Sequence, residues 1–170
     1  NKSIKTSPTR VLKDIPGLKN YRLSDKNTFE LSIGNRVLSD EVVENGSIPI
    51  YSANVFEEFG KIDKQNITDF SMPSILWGID GDWMVNIIPA NKPFYPTDHC
   101  GVLRIKTDDI IPKYMALALQ VEGEFERFSR SNRASTQRIA NLIIQIPSVA
   151  DQQKIVDEIK TIDQKIADEQ

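Results

Sequence analysis

Hydrophobic residues over much of the chain fall in short runs that Gly, Pro, Asn and Asp separate from one another. Such runs with such punctuation are typical of β-strands. The sequence therefore predicts strands at residues 29–33, 48–51, 74–79, 84–88 and 101–105, and a late strand at 143–146. Asp80 and Gly81 predict a hairpin turn between the third and fourth of these strands, with Trp77 and Trp83 as packing residues.

Two segments have helical character instead. Residues 110–121 are rich in Ala and Leu, and Pro112 suits the first turn of a helix. In the C-terminal segment Ser148 can cap a helix that starts after Pro147. Isoleucines then recur at helical spacing and predict one apolar seam, which a partner would cover: Ile155, Ile159, Ile162 and Ile166.

These elements predict an α+β architecture with a mostly β body and a projecting C-terminal helix of coiled-coil type. Residues 1–20 are polar and Lys-rich, and they are interpreted as a linker or arm. The body is then expected at 21–147 and the helix at 148–170. Because the chain begins at Asn1 rather than Met, we expect a processed chain or a piece of a longer one.

Composition narrows the functional classes. A hydrophobic fraction of 39% in 170 residues is sufficient for one domain with a core. Cys100 is the single cysteine, so an internal disulfide is excluded and a reducing cytoplasm is expected. No apolar run reaches the roughly 18 residues that span a bilayer, so no membrane association is predicted.

Charge is distributed unevenly around a net value of −3. The stretch 127–138 carries four arginines and no acid, which makes it the best candidate for an anion-binding surface. Arg offers planar forks for phosphate and guanine, and hydroxyl and amide side chains add short donors. The candidate DNA contacts are Arg127, Arg130, Arg133, Ser135, Thr136, Gln137 and Arg138.

The sequence contains no set of residues that supports a catalytic site or a metal site. Asp80 and Asp82 lack the remaining ligands of a calcium loop, and the turn interpretation is preferred. His99 and Cys100 are neighbours on one strand and point to opposite faces, which argues against a catalytic pair. No glycine-rich loop suits S-adenosylmethionine and no Walker loop is present. We therefore expect no cofactor, no metal and no catalytic residue.

Four motifs in chain order carry a family resemblance. They are residues 21–25 with 29–36, residues 48–54 with Gly60, residues 135–142 before Pro147, and Pro147 with Gln152, Gln153, Ile155 and Val156. Together they resemble the DNA-specificity (S) subunits of type I restriction-modification enzymes, namely a target-recognition domain and the start of its spacer helix.

The resemblance implies a non-catalytic domain that reads one half-site of a bipartite sequence in double-stranded DNA. Its implied partners are adenine methyltransferase subunits, a restriction subunit, and a second target-recognition domain that binds through the spacer helix. The single domain departs from the usual pair. A half-size subunit, a fragment, and the recognition tail of a fused restriction-methyltransferase enzyme all stay open. The competing hypotheses are a stand-alone methyltransferase or nuclease, and an interaction module that does not bind DNA.

Overall fold

The computed structural model describes residues 17–169 of the chain. The strands are β1 (Lys19–Arg22), β2 (Phe29–Ile33), β3 (Ile48–Tyr51), β4 (Gly60–Ile62), β5 (Ser74–Gly78), β6 (Val85–Ile88), β7 (Tyr95–Pro96), β8 (Cys100–Ile105) and β9 (Ile143–Ile146). The helices are α1 (Pro112–Phe125), α2 (Thr136–Ala140) and α3 (Val149–Asp168), with a short 3-10 helix at Ser39–Glu41.

A four-stranded antiparallel sheet in the order β2-β8-β5-β6 organises the domain. Every residue of β5 is buried, as expected for a strand covered on both faces. Because side chains alternate along a strand, Ile75 and Trp77 enter one core while Leu76 enters another on the opposite face.

The larger core lies where α1 packs on the sheet, and it includes Met115 and Leu119 of α1 together with Ile139 of α2. The two-stranded sheet β1-β9 adds to this core through Ile144 and Ile146. Its pairing joins residues near the start of the described chain to the segment that leads into α3.

The second face of the central sheet packs on Val55, Phe94 and neighbouring loop residues. Beyond it, β3 pairs antiparallel with β4 and parallel with β7. This three-stranded sheet has its own small core of Ile48, Ile50, Ile62 and Tyr95.

Helix α3 begins as the sequence predicts, since the Ser148 side chain accepts a hydrogen bond from the backbone of Asp151 at the helix start. Gln152 in its first turn is fully buried. The Nε2 atom of Gln152 donates to the carbonyls of Asp109 at 2.8 Å and Pro147 at 2.9 Å. Its Oε1 atom accepts from the Ile111 amide at 2.8 Å. Gln152 therefore joins the start of α3 to the start of α1.

The predicted strands are confirmed, with small shifts at their ends. The predicted helix 110–121 starts at Pro112 and continues to Phe125. The turn at Asp80 and Gly81 is wider than two residues: β5 and β6 pair, and the connection spans residues 79–84. Strands β1, β4 and β7 were not predicted.

The predicted linker 1–20 falls largely outside the described residues, and β1 begins at Lys19. Within residues 17–169, no helix combines the length and the apolar character that crossing a membrane requires.

Candidate nucleic-acid interface

The predicted arginine stretch forms a surface segment that we call the arginine loop (residues 127–134), between α1 and α2. It starts at a helix end closed by two backbone hydrogen bonds, from Phe128 to Gly123 at 3.0 Å and from Arg127 to Glu124 at 3.1 Å. This pairing is the Schellman pattern, which places a left-handed residue just past the helix. Here that residue is Arg127, with φ of 60° where glycine is usual.

The tip of the arginine loop is a tight turn. The backbones of Ser129 and Asn132 exchange hydrogen bonds of 2.9 and 3.1 Å, which leaves Arg130 and Ser131 at the tip. The Asn132 Nδ2 atom donates to the carbonyls of Glu126 and Arg127, both at 3.1 Å. Asn132 thereby holds the turn against the end of α1.

Arg138 is exposed and makes hydrogen bonds within the chain. Its guanidinium donates to Asn132 Oδ1 and, at 3.2 Å, to the Arg133 carbonyl. Its backbone amide donates to Ser135 Oγ, which caps α2. Arg138 and Ser135 therefore stabilise the C-terminal end of the loop. Residue type alone does not distinguish this role from that of the arginines within the loop.

Thr136 and Gln137 lie apart from the loop. They line a cavity of about 390 Å³ over β2, together with Lys26 and Lys106. The predicted set thus divides into two places, with Arg127, Arg130 and Arg133 in the exposed loop.

The connection between β5 and β6, which we call the hairpin loop (residues 79–84), packs directly against the arginine loop. The Trp77 indole donates to the Ala134 carbonyl at 2.9 Å, and the Ala134 amide donates to the Ile79 carbonyl at 2.9 Å. Trp83 packs on Phe128 with ring centroids 5.1 Å apart. The predicted packing of both tryptophans is confirmed, and it fixes the two loops to each other.

Trp83 is held from the other side by α1. Its indole donates to the Gln120 carbonyl at 2.9 Å. Its ring also lies against Gly123, where an added Cβ would come within 2.0 Å of the ring. The glycine in the last turn of α1 therefore permits this close approach.

Carboxylates of the hairpin loop face the arginines. Asp82 Oδ1 lies 3.9 Å from Arg130 Nε, and Asp80 Oδ2 lies 3.9 Å from Arg133. His99 Nδ1 lies 2.8 Å from Asp80 Oδ1. The arginine stretch contains no acidic residue, but in the folded chain Asp80 and Asp82 face it. Sequence reasoning missed this because the two loops are about fifty residues apart in the chain.

Cys100 has a structural position. Its side chain is fully buried, and burial raises the pKa of the thiol to about 12. The exposed His99 beside it binds Asp80 instead. Among residues 17–169, no group of three His, Cys, Asp or Glu side chains is arranged to hold a metal ion.

The predicted seam of α3 divides into two halves. Ile155 packs against the larger core and Ile159 lines a groove of about 530 Å³ between α1 and α3. Ile162 and Ile166 are 55% and 52% exposed. Ile155 therefore packs on its own domain, Ile159 borders an open groove, and Ile162 and Ile166 are the most exposed residues of the seam.

A protein-family model matches nearly all of the chain. The model of the type I restriction modification DNA specificity domain matches residues 18–170. Two of the similar proteins from Mycoplasma pneumoniae illustrate the likeness. The "Putative type I specificity subunit S.MpnORF289P N-terminus" is 29% identical over 62% of this chain and 56% of its own length. The type I restriction enzyme MpnII specificity subunit is 27% identical over 78% of this chain and 40% of its own length.

Solved structures share the fold. The S subunit of a type I restriction-modification system from M. genitalium superposes with a TM-score of 0.64 at 17% identity, over 94% of this chain and 42% of that one. The HsdS subunit of Thermoanaerobacter tengcongensis gives a TM-score of 0.66 at 18% identity, over 89% of this chain and 39% of that one. The chain spans about half the length of the curated relatives it matches.

Proposed function

The chain belongs to the type I restriction-modification DNA specificity family, and on this premise we propose that it recognises one half-site of a bipartite target in double-stranded DNA. The observation that carries the proposal is the family match over residues 18–170, which includes both the domain and the terminal helix. Catalysis then belongs to other subunits.

The arginine loop is the proposed DNA-contacting surface. Its three exposed arginines lie on a loop that contacts of Asn132, Trp77 and Trp83 hold in place. Rigid presentation favours recognition, because less side-chain and loop entropy is lost on binding. Arg127 and Arg133 suit phosphates, and Arg130 at the tip suits a base edge. Thr136 and Gln137 supply further donors on a neighbouring surface.

The terminal helix is the proposed partner-binding element. Its exposed residues Ile162 and Ile166 suit the spacer helix of a second target-recognition domain. The assembled complex then recruits adenine methyltransferase subunits and a restriction subunit.

Selection from a pool of randomised duplexes tests this function. We expect the purified chain to enrich a short motif, because base-contacting side chains discriminate among sequences. The double variant Arg130→Ala with Arg133→Ala should lose that enrichment. The double variant Lys154→Ala with Lys165→Ala removes the same two charges from exposed positions on α3 and should retain it.

Two results contradict the proposal. One is a chain that enriches no motif, alone or with its methyltransferase subunits. The other is methylation or cleavage of duplex DNA by the purified chain with S-adenosylmethionine, which would make it an enzyme. Co-purification with an adenine methyltransferase subunit is expected as well.

A further inference from the structure

Two contacts hold the hairpin loop beside the tip of the arginine loop. The hydrogen bond from Ala134 to Ile79 and the packing of Trp83 on Phe128 lie at its two ends. Gly81 adopts φ of 106°, a conformation that favours glycine and turns the loop tightly. The two loops therefore present their side chains as one surface.

The two acids of the hairpin loop have different surroundings. The Asp80 side chain is 31% exposed, and its two oxygens lie 2.8 and 2.9 Å from His99 Nδ1. The Asp80 side chain also faces Arg133, so contacts with His99 and Arg133 hold it in place. The Asp82 side chain is 79% exposed and faces Arg130, which is 81% exposed. An ion pair between side chains this exposed adds little to stability, and both side chains stay accessible to a ligand.

A carboxylate on a DNA-contacting surface must avoid phosphates, since duplex DNA carries one negative charge per ~1.7 Å of its axis. It is accommodated where it accepts a hydrogen bond from a base amino group. In the major groove the N4 amino group of cytosine is such a donor, and Asp and Glu accept from it.

The two side chains lie close enough together to contact the two bases of one pair. Cytosine N4 and guanine O6 are hydrogen-bonded to each other, so they lie about 3 Å apart. Arg130 Nε and Asp82 Oδ1 lie 3.9 Å apart. Resting on the function proposed above, we propose that Asp82 is a specificity-determining residue, and that Arg130 and Asp82 together read a single G·C pair. Arg130 donates to guanine, and Asp82 accepts from cytosine N4.

This assignment predicts opposite effects of two single variants on random DNA. Asp82→Asn should raise affinity for random duplexes, because it removes a charge that repels phosphates. Arg130→Ala should lower that affinity, because it removes a cation from the same surface. Both variants should relax the same G·C position of the selected motif, and each should reduce discrimination there roughly tenfold or more.

Glu126→Gln is the local control, because it removes the same charge from an exposed position beside Arg127. We expect it to raise affinity for all sequences and to change no position of the motif. Asp82→Ala repeats the test without an amide, and melting temperatures check that each variant is folded.

The outcomes separate the two claims. A motif that Asp82→Asn and Asp82→Ala leave unchanged overturns this inference alone, provided that Arg130→Ala with Arg133→Ala still abolishes enrichment. Relaxation of different positions by Asp82→Asn and Arg130→Ala also overturns it. A parent chain that selects no sequence overturns both claims.

Discussion

At the scale of single residues, Gln152 explains why the motif around Pro147 has its spacing. The Gln152 side chain is buried five residues after Pro147, and it bonds to the Pro147 carbonyl as well as to Asp109 and Ile111. A buried amide satisfies three backbone groups at the junction of two helices. The sequence resemblance identified the residue, but only the structure gives its physical reason.

Replacing Gln152 by Ala should destabilise the domain. The substitution leaves three backbone groups without their partner, and each buried unsatisfied group costs about 1–3 kcal/mol, so we expect a loss of about 3 kcal/mol in the free energy of unfolding. Gln153→Ala is the control, since that exposed side chain bonds only within α3, to Asp157. Urea denaturation measures both. Equal stability of the two variants would contradict this account.

Arg127 occupies a backbone conformation that glycine prefers. A non-glycine residue in the left-handed region costs roughly 1–2 kcal/mol, so Arg127→Gly should raise the free energy of unfolding by about 1 kcal/mol. The same variant should bind DNA more weakly, because a proposed phosphate-binding side chain is removed. Arg127→Ala removes the same side chain but keeps the unfavourable backbone. If the glycine variant is no more stable than the alanine variant, the backbone assignment is wrong.

The residues of the interface could be predicted only in part. Local composition was sufficient to identify the arginine loop as a candidate surface, but it did not show that Arg138 is bound internally to Asn132. The pairing of Arg130 with Asp82 and of Arg133 with Asp80 depends on how two distant loops pack. No pattern within either loop carries that information.

At the scale of elements, local pattern was sufficient for the longer strands and for α1 and α3. Strands β4 and β7 were missed because they are short and lie in segments rich in turn residues. β1 was missed because Lys19 and Asn20 at its start are exposed and polar. Its pairing with β9 is a contact between distant parts of the chain, which periodicity does not detect.

The terminal helix combines two uses in one apolar seam. The periodicity of the isoleucines predicted a single continuous seam, yet Ile155 belongs to the core of the domain. Substitutions at Ile155 would therefore disturb the packing of α3 on its own domain and would not report on a partner alone. The exposed half is therefore the right place to test association.

The double variant Ile162→Asn with Ile166→Asn should prevent self-association or association with a second specificity domain. Both side chains are about half exposed, so the domain should keep its stability while burial at the interface is lost. Thr161→Asn with Lys165→Asn changes exposed positions at the same spacing and serves as control. Light scattering measures the mass of the assembly. Unchanged mass and unchanged recruitment of methyltransferase subunits in the isoleucine variant would contradict the proposal.

At the scale of the whole molecule, the arginine loop is a locally basic surface within the described residues 17–169 of a net acidic chain. The charge of −3 includes six acids between residues 151 and 170, far along the sequence from the arginine loop. The hairpin loop adds two acids beside that surface, which limits its net positive charge. We therefore expect modest affinity for random DNA and a larger contribution from base contacts.

The arrangement of the sheets could not be predicted from sequence, because it depends on pairings between distant strands such as β2 with β8 and β3 with β7. Local pattern predicted the α+β class, and the family resemblance added the expectation of a target-recognition domain. It left the DNA-contacting residues open, since these depend on the side chains of this particular chain.

The salt dependence of DNA affinity tests the central claim most directly, because removing one phosphate-binding cation changes the slope of log K against log salt by about one unit. We predict that Arg127→Ala with Arg133→Ala lowers the magnitude of this slope by about two units. The charge-matched variant Lys154→Ala with Lys165→Ala should keep the parent slope. If the two double variants give the same slope as the parent, the arginine loop does not bind DNA and the proposed interface is wrong.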